Sequence, residues 1–134
     1  MMSTDTARRW FRRVVWLGIV ANLALGVPTL LAPARMLAMT GLPVTDPLMW
    51  TRFAALLLIL LSLFYMPAAI DPVRYRMTAF MTVASRLVGV LFFLTQPREY
   101  LMLGLFDLVF LIPEAILVRG ATGPDPVSRE GALR

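Results

Sequence analysis

Four apolar runs of equal length divide the chain: VVWLGIVANLALGVPTLL (14–31), FAALLLILLSLFYMPAAI (53–70), MTAFMTVASRLVGVLFFL (77–94) and YLMLGLFDLVFLIPEAIL (100–117), each 18 residues long. At about 1.5 Å per residue, such a helix covers roughly 27 Å, close to the hydrocarbon thickness of a bilayer. The pattern predicts an all-α integral membrane protein. Short links between the second, third and fourth runs make those helices neighbours, so the expected architecture is an antiparallel, up-and-down four-helix bundle.

Each run is broken by a polar residue, Asn22, Ser62, Arg86 or Asp107. Counted from the same face of the bilayer, Asn22 and Ser62 lie nine residues deep, Arg86 eight and Asp107 seven, which places all four roughly 10 to 14 Å below that boundary. Alternate helices run in opposite directions, so the shared depth is a property of the bundle and not of sequence spacing. A lone charge at mid-membrane costs at least ~2.5 to 3.5 kcal/mol on insertion scales and normally faces inward toward an opposite charge. Arg86 and Asp107 form the expected pair, with Asn22 and Ser62 supplying the remaining donors and acceptors. On this basis Arg86→Leu should be rescued in part by Asp107→Leu. Glu114, seven residues after Asp107, shares its helical face two turns away. It reads either as the partner of Arg74, Arg76 or Arg119, pinning the fourth helix in register, or as the continuation of a proton or cation path from Asp107, with Pro113 loosening the backbone between them.

The segments between the runs carry their own signals. Gly26-Val27-Pro28 should kink or loosen the end of the first helix. Pro33 suits the first position of a short amphipathic helix that Gly41 ends, lying on the outer membrane surface. Asp46-Pro47 reads as a cap for the second long helix, with Trp50 and Arg52 at the interface. Asp71, Pro72, Arg74, Tyr75 and Arg76 make a tight charged hairpin, and Thr95 to Glu99 an equally short turn. Trp10, Phe11 and Trp16 read as interfacial anchors with Arg12 and Arg13 at the headgroups; a basic start of this kind can also hold anionic lipid. Gly18, Ala21, Ala24, Gly26, Ala54, Ala55, Ala84, Ser85 and Gly89 are close-packing material, Ser85 to Gly89 being a small-xxx-small match. Gly120 is placed to stop the last helix in a left-handed conformation. Residues 1–119 thus form one four-helix domain, and residues 120–134, rich in Gly, Pro and charge, a disordered cytoplasmic tail.

Charge then orients the bundle. With the N-terminus cytoplasmic, nine arginines (8, 9, 12, 13, 74, 76, 119, 129, 134) fall inside and three (35, 52, 98) outside, a positive-inside bias. Both termini are expected on the cytoplasmic side of a bacterial inner membrane. The RRWFRR start and Ala32-Pro33-Ala34 resemble a signal peptide, but the run of 18 residues exceeds the usual apolar core of such signals, so the segment is expected to stay.

Composition removes chemistry from the picture. A 59% hydrophobic content with 16% charged residues lies far from a soluble domain. The chain has no Cys and no His, which excludes thiolate nucleophiles, imidazole bases, Cys/His zinc sites and bis-His haem. The nine methionines are placed as packing residues rather than soft ligands, so no metal site and no cofactor are expected. All thirteen basic residues are Arg and sit at helix ends, where topology explains them without nucleic acid.

The first helix, the segment Pro33 to Gly41, Asp46-Pro47 before Arg52 and the charged hairpin after the second helix together resemble the small DoxX-like bacterial membrane proteins. In that family an Arg is typically followed by glycines, where this chain has Phe53-Ala54-Ala55 after Arg52. The resemblance implies a small subunit accompanying a quinol or redox enzyme and transfers no catalytic residue. The expected function is therefore a non-catalytic accessory or stabilising subunit of a larger inner-membrane, redox-type complex, with the lipid bilayer and a larger membrane protein as partners. The alternative is a small binding protein or transporter that holds a lipid, quinone or other apolar solute near Asn22, Ser62, Arg86 and Asp107. An enzyme working through Asp107 or Glu114 would need an unpaired carboxylate in a pocket.

Overall fold

The computed structural model describes residues 2–44 and 46–123. Among them the chain is helical throughout apart from its connecting turns: α1 Thr4–Leu31, α2 Pro33–Thr40, α3 Met49–Ile70, α4 Arg76–Leu94 and α5 Leu101–Ala121, with a 3-10 turn at Arg98–Tyr100 leading into α5. Four of these, α1, α3, α4 and α5 with its leading turn, are long and apolar enough to span a membrane. Each expected run lies in one of them, the fourth beginning with Tyr100 in the 3-10 turn.

The largest boundary difference is at the start. Helix α1 begins at Thr4, where the Ser3 hydroxyl caps the Thr6 amide, ten residues before the first apolar run. The RRWFRR segment interrupts the run of apolar residues but not the helical period. Ala7, Phe11, Val15, Ile19, Asn22 and Gly26 recur at three- and four-residue spacing and are all buried. Phe11 is therefore a core residue with no exposed surface, not an interfacial anchor, while Trp10 and Trp16 keep an exposed face. Arg12 is exposed but tied down, its Nε donating to the Ala69 carbonyl at 3.0 Å. The Arg8 side chain donates to the carbonyls of Ala121 and Gly123. These bonds satisfy carbonyls at the ends of α3 and α5, where a cation also complements the helix dipole. They set the first turns of α1 beside the last turns of α3 and α5.

Helix α1 packs on α3 and α5, α4 packs on α5 and α3, and α2 folds back against α1. The main core gathers at the end where α1 begins: Ala7, Phe11, Val15 and Ile19 meet Tyr65, Ala68, Ala69, Ala79, Leu117, Val118 and Ala121. Several of these are alanines, which let backbones approach. Gly120 belongs to the same contact. Helix α5 runs through it to Ala121, and a Cβ at Gly120 would come 2.9 Å from that of Ala7. It admits α1 rather than ending α5. Of the other small residues, Gly18, Gly26 and Ala55 are buried, but Ala24, Ala54 and Ala84 are exposed. The expected tail falls from residue 124 onward outside the described residues.

The connections follow local chemistry. Pro33 starts α2, and Gly41 ends it in the left-handed region at φ 70°, a conformation that favours glycine. Asp71 Oδ1 accepts from the amides of Val73 and Arg74 at 3.1 Å each, closing the turn before α4. Asp46 does not cap α3. Leu48 holds the cap position with helical dihedrals and no side-chain bond, and the start is tightened by the Trp50 amide donating to the Pro47 carbonyl.

Candidate functional site

Helix α4 buries Ala79, Thr82, Arg86 and Val90 along one face, and α5 presents Asp107 and Glu114, seven residues apart, toward it. The seven-residue spacing on one face lets a single guanidinium reach both acids. Arg86 Nη1 donates to Asp107 Oδ1 at 3.1 Å, and Arg86 Nε donates to Glu114 Oε1 at 3.2 Å. The Arg86–Asp107 pair expected from the sequence is thus present. Glu114, expected beside Arg74, Arg76 or Arg119, is instead a full member of the cluster, because its face of α5 points at α4 and not at the helix ends.

Aromatic rings enclose the guanidinium. Its Cζ lies 4.7 Å from the Phe110 ring centroid and 5.5 Å from that of Tyr65, both within cation–π range. The Tyr65 hydroxyl is hydrogen-bonded to Ser85, whose Oγ also donates to the Thr82 carbonyl. Gly18 of α1 and Gly89 of α4 face the charged groups. A Cβ at Gly18 would run into Arg86 Nη2, and one at Gly89 into Asp107 Oδ2. These glycines make room for charged side chains rather than for a neighbouring backbone.

Asn22 and Ser62 are buried, at 1% and 0% exposure, but neither is hydrogen-bonded to the cluster. The Ser62 hydroxyl turns back to the Leu58 carbonyl at 2.9 Å, a bond always within reach of a serine inside its own helix. Asn22 Oδ1, Arg86 Nη2 and Glu114 Oε2 make no hydrogen bond of good geometry, although the Thr82 hydroxyl lies beside Glu114. A buried polar atom left unpaired costs about 1 to 3 kcal/mol. The cluster is therefore not self-sufficient, and with both acids ionised its two carboxylates carry one negative charge more than its arginine.

Away from the packed core the helices part around a cavity of about 520 Å³. Helix α2 covers one side of it with Met36 and Leu37, and Leu25, Leu58 and Leu103 are among the apolar walls. Asp107 lines it as well, bringing the ion cluster to its floor. Its side chain is 22% exposed against 1% for Arg86 and 0% for Glu114, so Asp107 alone of the three opens outward. No apolar periodicity signals this cavity, since its walls are ordinary leucines and aromatics whose separation depends on how the helices splay.

The arrangement can hold a molecule with a large apolar body, and it can hold a proton or a positive charge at Asp107. Among the described residues no group of three or more His, Cys, Asp or Glu side chains forms a metal site. Comparison with protein-family models, curated proteins and solved structures finds no match for this chain.

Proposed function

We propose that this chain is an antiparallel four-helix bundle of a bacterial inner membrane that binds a small apolar or amphipathic molecule. In this reading both termini are cytoplasmic, α2 lies at the outer membrane surface, and the cavity opens in the outer half of the bundle. The single observation that carries it is the 520 Å³ cavity with Asp107 in its lining. That volume is within the range of small-molecule sites, which are mostly apolar with a few polar groups that fix orientation. The closed, alanine-rich core at the opposite end supports a fixed frame beneath the site.

The test is native mass spectrometry of the chain extracted from its own membrane in a mild detergent. The expected result is one defined small-molecule adduct, absent from Ala54→Trp, which adds bulk at the cavity wall. A protein free of any defined adduct would overturn the binding reading.

A second reading, the accessory subunit of a larger redox-type complex that a DoxX-like protein would be, has support of a different kind. Only 22% to 28% of the residues in each apolar window are buried within the chain, and many large apolar side chains along the spans stay exposed, a surface open to lipid or to other membrane helices. In the same measurement a stoichiometric large partner protein would favour it.

A further inference from the structure

We propose that the cavity is built for a lipophilic organic cation, an apolar body carrying one amine or onium charge set against Asp107. This rests on the binding reading above and names the class of molecule bound.

The first argument is charge. Arg86 is shared between Asp107 and Glu114, so with both acids ionised the cluster lacks one positive charge. Glu114 has no exposed surface and cannot meet a ligand, whereas Asp107 lines the cavity. A cation placed there completes the balance, and in surroundings with little water a charge pair is far stronger than in solution. An anion at the same place would meet a carboxylate. A zwitterionic headgroup would bring its phosphate there too, so the fit is a free monocation.

The second argument is the wall. Among the described residues no arginine lines the cavity. Trp50, Phe92, Phe93, Tyr100 and Phe106 do, and ring faces attract organic cations while also packing against hydrocarbon. A bare metal ion would find one carboxylate and few further oxygens, which does not suit a hard cation. A lipophilic cation brings its own apolar surface.

Purified protein in detergent micelles is titrated by calorimetry with tetraphenylphosphonium, with neutral triphenylphosphine oxide and with tetraphenylborate, an anion of the same shape as the phosphonium. The expected result is tetraphenylphosphonium bound at least ~10-fold more tightly than the oxide, with no binding of the borate. Asp107→Asn should remove that preference, and it leaves Arg86 matched one-to-one with Glu114, so the variant should fold. Asp107→Glu keeps the charge and should keep the preference, while Ala54→Trp should lose every probe. Equal binding of cation and oxide would overturn the cation inference and leave the binding reading standing. Binding of none of the three would overturn both.

Discussion

Arg86 and Glu114 are joined by a hydrogen-bonded ion pair, Nε to Oε1 at 3.2 Å, although 28 residues separate them in the chain. Both are fully buried, and the pair ties α4 to α5 on the same guanidinium that holds Asp107. Removing Arg86 leaves both acids without their counter-charge. Arg86→Leu should therefore cost about 3 to 5 kcal/mol, the range for breaking a buried ion pair.

Glu114 also changes the expected rescue. Arg86→Leu with Asp107→Leu leaves Glu114 buried without a counter-charge, so the double variant should recover little. Arg86→Leu with both Asp107→Leu and Glu114→Leu should recover at least ~2 kcal/mol relative to Arg86→Leu alone, because no buried charge is left unpaired. Equilibrium unfolding in mixed micelles measures this. Full recovery in the double variant would show that Glu114 does not depend on Arg86.

Gly18 and Gly89 give an independent check on the cluster's geometry. A Cβ at either position meets a charged group of the cluster, Arg86 Nη2 or Asp107 Oδ2. Gly18→Ala and Gly89→Ala should each destabilise by about 1 to 3 kcal/mol, the usual cost of overpacking. Ala84→Gly, at an exposed site on α4, supplies the comparison and should cost only the ordinary helix penalty of about 1 kcal/mol. Thermal unfolding of the three variants in one detergent tells them apart.

The fold was legible in the sequence to the extent that one rule governs it. Apolar length located four spans, and Pro33 with Gly41 located the short helix between the first two. Where a charged residue belongs to the packing, the same rule misleads. The arginines around Phe11 break the apolar run, yet the spacing Ala7, Phe11, Val15, Ile19 carries α1 back to Thr4. At the site, depth and opposite charge found Arg86 with Asp107. The seven-residue spacing of Glu114 put it on the right face, but the choice of arginine depended on how the helices are turned about their axes. Equal depth did not bring Asn22 and Ser62 into the cluster, because depth says nothing about side-chain direction, and the Ser62 hydroxyl found the nearer Leu58 carbonyl.

The arginines at the start of α1 should differ from one another. Arg12 bonds the last turn of α3 through Ala69, whereas the Arg13 guanidinium lies over the Trp10 ring at 5.2 Å on an exposed face. Arg12→Gln should lower stability by about 1 kcal/mol and Arg13→Gln by less than about half of that. Paired unfolding curves decide it, and equal losses would contradict the capping role.

Orientation is directly testable because the chain has no cysteine. Met2→Cys and Glu99→Cys each introduce one thiol, at opposite ends of the proposed bundle. In intact cells an impermeant maleimide should label Glu99→Cys and leave Met2→Cys unlabelled until the membrane is opened. The reverse pattern would invert the proposed topology.

The most direct test of the central claim, a ligand held between the helices beside Asp107, is photocrosslinking in the native membrane from the cavity wall. A diazirine amino acid replacing Leu58 is irradiated there, and the protein's mass is then measured. The expected result is one added mass of a single small molecule, lost when Ala54→Trp is combined with it. A spread of bulk phospholipid adducts, unchanged by Ala54→Trp, would mean that the cavity is only a lipid-filled groove and would contradict the claim.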